Sequence, residues 1–291
     1  MSRHNVILFN PHSRSDRGEQ AARQLMLRLG KGDVQLVDMT CVTDYSSFFS
    51  QLDAGCCVIV CGGDGTLNRF LNDTAGMALP ASLCYYAAGS GNDFCKDIGQ
   101  RDAQQPVELA SYIQNLPQVS VGGNKLRFLN GVGCGLDGHC CVVADRARMR
   151  GFCKIPYVLV AFLGLLYQYK PSSAEVTVDG VTTRYEKVWM MSAMKGRYFG
   201  GGIKITPDQS RSDPEGLLSA VVISGCGRLR IMTLFPSIFK AKHLQYTQYV
   251  HVVKGHEITM RFDRPVSAQV DGETFVDVQQ ISASSAGFER L

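Results

Sequence analysis

The chain has 291 residues, a formal net charge of +4, 45% hydrophobic residues and 19% charged ones. That is the balance of a soluble globular protein with one large domain or two, either of which would bury a substantial core. A mild positive charge suits an anionic ligand or weak attraction to acidic lipid headgroups without requiring either, and no nucleic-acid partner is expected.

The 11 cysteines include the adjacent pairs Cys56-Cys57 and Cys140-Cys141 but no CxxC pair and no zinc-type Cys/His spacing. They read as small apolar residues in a reducing compartment. Because the N-terminus runs straight into the strand-like Asn5-Val6-Ile7-Leu8-Phe9, a cytoplasmic protein is expected. The longest apolar run, Ile155 to Tyr167, is about two-thirds of the roughly 20 residues that cross a bilayer. Membrane contact is therefore expected to be peripheral, with no transmembrane segment.

Val6 to Asn10 predicts a buried strand running into Asn10-Pro11-His12, and Glu19 to Leu29 carries a helical apolar stripe at 21, 22, 25, 26 and 29. Val34 to Val37 predicts a second strand, with Asp38, Thr40 and Thr43 beyond it. Tyr45 to Leu52 reads as helix and Cys56 to Cys61 as a third strand. A further helix follows Gly65, and Leu83 to Ala87 is a fourth strand ending at Gly89-Ser90-Gly91-Asn92-Asp93-Phe94. Alternating strands and helices predict a doubly wound parallel α/β sheet over roughly the first 120 residues. Four strand ends carry ligand-type residues, Asn10, Thr40, Asp64 and Asn92. In an open parallel sheet those ends share one edge.

From about Lys125 short strands dominate: Ala174 to Val178, Tyr185 to Met194, Leu217 to Ile223, Glu257 to Phe262, Val266 to Val270 and Phe275 to Ile281. They predict an antiparallel β-sandwich, interrupted by helical segments at Cys140 to Tyr169 and Leu229 to Leu244. The expected division is an α/β domain at 1–124 and a β-sandwich domain at 125–281.

The stretch Val58 to Asn68 organises the chain. A short apolar run ends in Gly62-Gly63-Asp64-Gly65-Thr66, where glycines let backbone N–H groups approach phosphate and a new helix N-terminus adds partial positive charge. Asp64 cannot hold phosphate itself. It suits hydrated Mg2+ or a hydroxyl to be deprotonated. A plain strand-to-helix turn is the alternative. No Walker lysine follows, and Gly30-Lys31-Gly32 lacks the Ser/Thr of a P-loop. Gly133 to Gly138 formally matches GxGxxG but lies outside a βαβ unit.

Gly62 to Asn68 taken with Gly89 to Phe94 resembles the soluble lipid kinase family of bacterial diacylglycerol kinases, distant relatives of sphingosine and ceramide kinases. GGDGT alone also suits NAD kinases and phosphofructokinases; the second motif resembles the lipid kinases' GTGNDF, with Ser for Thr. Similarity continues through Asn10-Pro11, Gly133 to Gly138, Tyr198 to Gly202 and Asp271-Gly272-Glu273. The resemblance implies an ATP site between the two domains, with residues about 282–291 packing back on the first. It also implies Mg2+-dependent transfer of the γ-phosphoryl group to a lipid hydroxyl, diacylglycerol or a related lipid.

By the same resemblance, Asn10, Thr40, Gly62, Gly63, Gly65, Thr66, Leu67, Asn68, Ser90 and Asn92 would contact nucleotide. Asp64 and Asp93 would organise water and Mg2+, and Glu273 would be the general base, a role for which Asp64 competes. A structural metal loop would use Glu215 and the carbonyls of Ser212 and Leu217, though Glu stands where the family has Asp. Asp137 would lie near the substrate, or else be a turn acid. The basic cluster Arg146, Arg148, Arg150 and Lys154 would meet acidic headgroups or simply be solvated. A soluble-acceptor kinase of the NAD kinase type and a nucleotide-binding regulator without turnover remain alternatives. Monomer and homodimer are both open.

Overall fold

The fold is seen in a computed structural model that describes residues 4–30, 33–100, 105–150, 160–161 and 163–285. The chain divides into two compact units, Met1–Gln114 and Asn115–Leu291. Among the described residues no helix is long and apolar enough to cross a membrane.

The first unit is built from β1 (Asn5–Phe9), α1 (Ser13–Asp16), α2 (Gly18–Leu29), β2 (Val34–Asp38), α3 (Tyr45–Ser50), β3 (Cys57–Gly62), α4 (Asp64–Asp73), β4 (Ser82–Ala87), α5 (Asp93–Asp97), β5 (Val107–Glu108) and α6 (Ala110–Ile113). Its sheet order is β2-β1-β3-β4-β5. The pairings among β1 to β4 are parallel and β5 joins β4 antiparallel, so the sheet is mostly rather than wholly parallel. β3 is buried along its whole length, as a strand covered on both faces must be. Ile7, Phe9, Ala22, Leu25, Ile59 and Cys61 form one core cluster, in which the cysteine packs as a small apolar residue. Order reverses at β1: the chain leaves to β2 on one side and returns to β3 on the other. That leaves a crevice at the carboxyl ends of β1 and β3, where open α/β sheets bind ligands.

The second unit holds β6 (Gln118–Val121), β7 (Asn124–Arg127), β8 (Gly131–Gly135), α7 (Leu136–Met149), β9 (Ser172–Val178), β10 (Val181–Val188), β11 (Met190–Met194), β12 (Leu218–Ile223), α8 (Arg228–Phe239), β13 (Val250–Gly255), β14 (Glu257–Val270) and β15 (Glu273–Ser284). All its pairings are antiparallel, along the path β13-β12-β11-β8-β14-β15-β6-β7 with β9 and β10 branching from β14. β14 is one strand where two were expected. Its first half pairs with β9 and its last residues with β8, and it bends at bulges between Arg261 and Ala268. This single bent strand ties the two layers of the sandwich. Val132, Val176, Met191, Ala220, Met260, Ala268 and Ile281 fill the space between them.

The units divide at residue 114/115 rather than 124, because the β6–β7 hairpin pairs with β15 and so belongs to the sandwich. Residues 282–284 pair with β6 and β14 inside the second unit; residues 286–291 lie outside the described set. So do most of the apolar run from Ile155 and the Lys154 end of the basic cluster.

Candidate active site

At the end of β3, Gly63 is the N-cap of α4 and Asp64 its first helical residue. The first amides of α4 have no intrahelical acceptor, which leaves Asp64, Gly65 and Thr66 N–H directed at the sheet edge. The ladder begins with Leu67, whose N–H donates to the Gly63 carbonyl at 3.1 Å. Leu67 is fully buried and anchors the helix in the core. Asn68 is likewise buried.

Asp64 has a geometry that the motif alone did not reveal. Its Oδ2 accepts the Asp93 N–H at 3.0 Å and its Oδ1 the Phe94 N–H at 2.9 Å. The carboxylate therefore caps α5 and locks the first glycine loop to the second. Gly63 and Gly89 meet at the same junction: a Cβ on Gly89 would lie 2.5 Å from the Gly63 Cα. Only glycine permits that backbone approach. Asn92 adopts φ 53°, a left-handed conformation asparagine tolerates, and its Oδ1 accepts the Gly89 N–H at 3.0 Å. Ser90 stays exposed at the tip of the loop.

From β1, Asn10 Nδ2 donates to Thr66 Oγ1 at 3.0 Å, and Ser13 Oγ lies 3.2 Å from the same hydroxyl. Tyr85, fully buried on β4, donates its hydroxyl to the Gly62 carbonyl at 3.0 Å. Asn10, Thr66, Asp64, Gly63, Gly89 and Asn92 are thus one connected assembly. Thr40 is not tied into it: its hydroxyl and N–H both donate to Asp38, at 2.7 and 2.9 Å. Asp93 is buried with Lys96 Nζ 3.9 Å away. Ser13 and Tyr85 were missed from sequence because an isolated hydroxyl in a loop or strand gives no periodic signal.

In the second unit, Asp271 (φ 45°) and Gly272 (φ 94°) form the two-residue turn between β14 and β15, a left-handed pair that Asp-Gly favours. The Asp271 carboxylate accepts the N–H groups of Leu129, Asn130 (2.9 Å) and Gly131 (3.0 Å). Arg211 donates to the Leu129 carbonyl and, at 2.7 Å, to Asn130 Oδ1. The turn is therefore held rigidly, and Glu273 stands exposed beside it as the first residue of β15. Asp137 is only 2% exposed; its Oδ2 accepts from Gln269 Nε2 at 2.9 Å, and Gln269 Oε1 accepts the Gly272 N–H at 2.7 Å. Asp137 thus acts on the turn that carries Glu273. Gln269, which relays it, has no motif to announce it.

In the expected metal loop one of the three candidate ligands is already engaged. The Leu217 carbonyl accepts from Gln209 Nε2 at 2.8 Å and keeps a second lone pair. Gln209 is buried, and its Oε1 accepts from Ser219 Oγ at 2.5 Å. Glu215 and Ser212 are exposed, and the Glu215 N–H donates to Asp213 Oδ1 at 3.0 Å. A side-chain amide thus braces this loop.

Comparison with known proteins matches both units. Residues 4–121 fit the model of the diacylglycerol kinase catalytic domain, and residues 130–284 that of the YegS C-terminal NAD kinase β sandwich-like domain. A diacylglycerol kinase of Mycobacterium tuberculosis (strain CDC 1551 / Oshkosh) is 27% identical over 194 residues. That alignment covers 65% of this chain and only 61% of the mycobacterial protein's length. A diacylglycerol kinase structure from Bacillus anthracis str. Sterne superposes with a TM-score of 0.60 at 18% identity, covering 99% of this chain and 96% of that one. A yeast NADH kinase structure superposes at 0.51 and 10% identity, covering 100% and 80%. At such identities the structures speak for the fold. With its two halves matched in order, the chain belongs to the family of bacterial diacylglycerol kinases and related lipid kinases.

Proposed function

We propose that the protein is an ATP-dependent lipid kinase that moves the γ-phosphoryl group of ATP to a lipid hydroxyl, with diacylglycerol or a related neutral lipid as acceptor. The observation that carries this reading is the Asp64 carboxylate joining the Gly62–Thr66 loop to the Asp93–Phe94 helix start. It holds two glycine loops and two helix N-termini together at one sheet edge, a cradle for the phosphates of a nucleotide. The Gly89-Ser90-Gly91-Asn92-Asp93-Phe94 motif favours a lipid over NAD as acceptor. The proposed role of Ser90 and Asn10 is to contact the nucleotide at the rim of that cradle.

Asp64 suits Mg2+ through the ion's water shell: each oxygen already accepts one N–H and retains a further lone pair. The ion, when bound, offsets charge developing on the transferred phosphoryl group. A carboxylate that already accepts two backbone N–H bonds is poorly placed to take a proton as well. Glu273, exposed on a rigid turn, is the better base. In the proposed step Glu273 removes the hydroxyl proton as the lipid oxygen bonds to the γ-phosphorus. The bond from that phosphorus to the β–γ bridging oxygen breaks, and ADP leaves with the electron pair.

The test is Glu273→Gln in single-turnover transfer beside an equilibrium ATP-binding measurement. The expected result is a loss of about 10²- to 10⁴-fold in transfer with ATP affinity unchanged. Transfer at the wild-type rate would remove Glu273 from the chemistry.

A further inference from the structure

We infer that the outer face of α8, with the neighbouring turn at 163–168, is a docking surface for a bilayer containing anionic lipid. The inference deepens the lipid-kinase reading by naming the surface that would bring the enzyme to its substrate, and its measurement needs no turnover.

α8 is apolar on both sides. Its inner stripe, Ile231, Leu234, Phe235 and Ile238, is buried in a core cluster, as an ordinary amphipathic helix requires. Its outer side should then be a mixture of acids and bases. Instead Leu229 is 82% exposed, Phe239 is exposed as well, and the charged groups between and beyond them are all cationic, Arg230, Lys240 and Lys242, with only Thr233 and Ser237 as neutral polar side chains. Arg228 fixes the start of this helix to the preceding turn. Its guanidinium donates to the Leu165 and Tyr169 carbonyls, the latter at 3.1 Å, and lies 5.4 Å from the Trp189 ring centroid. Tyr167, 78% exposed on that turn, therefore belongs to the same neighbourhood as Leu229.

Charge decides the occupant. Neither residues 163–174 nor residues 216–256 contain an aspartate or glutamate, and Arg228 joins the two stretches in space through the Leu165 and Tyr169 carbonyls. Scattered single apolar residues are common on surfaces. Large apolar side chains set on a helix whose charged residues are all basic have the composition of an interfacial element, whose rings and chains enter the acyl boundary while arginine and lysine meet phosphate. A second copy of the chain fits poorly, since self-association would bring the cations of two such helices together.

The test is co-sedimentation of the full chain with phosphatidylcholine vesicles, with and without phosphatidylglycerol, in the absence of ATP. Two double variants are compared with wild type, Leu229→Glu with Phe239→Glu and Arg230→Glu with Lys240→Glu. The control is Val181→Glu, which charges an apolar residue 72% exposed on the β9–β10 hairpin. Far-UV circular dichroism confirms that each folds. Wild type should prefer the anionic vesicles, each double variant should lose about tenfold or more in partition, and the control should not. Partition within about twofold of wild type in both double variants, an equal loss in the control, or no preference for anionic lipid would overturn the inference. So would a homodimer that the double variants dissolve while vesicle binding persists. If wild type binds anionic vesicles but phosphorylates no lipid, docking stands and the kinase reading fails.

Discussion

Replacing Asp64 by Asn separates a positioning role from a chemical one. In the wild type both carboxylate oxygens accept backbone N–H groups, from Asp93 and Phe94. Asparagine keeps one acceptor oxygen and turns an NH2 group toward the other N–H, so one bond is lost and the survivor loses its charge. Hydrogen bonds to a charged partner contribute about 1.5–3 kcal/mol each, against about 1 for neutral ones. The sum is a destabilisation of about 3 kcal/mol, including the lost attraction between an anion and the start of α5. In thermal melts followed by far-UV circular dichroism this lowers the first transition by roughly 10–15 °C. The sole tryptophan, Trp189, is buried in the second unit, so its fluorescence reports that unit separately. A variant that melts within about 2 °C of wild type would refute the clamp and leave Asp64 a purely chemical role.

Gly89→Ala should be far worse than Gly63→Ala, because the added Cβ meets the Gly63 Cα at 2.5 Å in the first case but the Gly89 Cα at 3.3 Å in the second. ATP affinity of the two variants measures the difference; equal effects would argue against the loop junction. Gln209→Ala should cost about 2 kcal/mol by leaving buried groups without their bonds, whereas EDTA should not move the melting temperature of the nucleotide-free wild type. A fall on chelation would restore an ion to this loop. His243 is fully buried with Nε2 2.8 Å from the Ile205 carbonyl, and burial pulls its pKa below 6.5. The unfolded chain therefore binds a proton that the folded chain refuses, so stability falls as pH drops below about 6.5. His243→Gln should flatten the melting temperature between about pH 7 and 5; an unchanged slope would place that dependence elsewhere.

The architecture was largely legible. Alternation of apolar strands with the stripe at Ala21, Ala22, Leu25, Met26 and Leu29 yields the α/β half, because both periods reflect burial directly. The two-residue edge strand β5 and the antiparallel β6 escaped notice, being too short or too polar at their outer positions to stand out. The glycine motifs do meet at one sheet edge, as a strand that ends in glycines advertises backbone approach. The roles inside the site were less visible. That Asp64 spends both oxygens on residues 93 and 94, or that Gln269 links Asp137 to the Gly272 turn, depends on contacts across 29 to 132 positions of sequence. The bracing of the expected metal loop was hidden for a similar reason. The loop's ligand spacing is local, but the amide that engages the Leu217 carbonyl comes from Gln209, before the motif begins.

The most direct measurement is transfer of label from γ-labelled ATP to diacylglycerol, phosphatidylglycerol, ceramide or sphingosine in mixed micelles, with NAD as the soluble competitor. The account predicts label in the lipid phase, diacylglycerol foremost, and at least about a hundredfold less after Glu273→Gln. Label on NAD alone, or ATP bound with no lipid ever labelled, would contradict it.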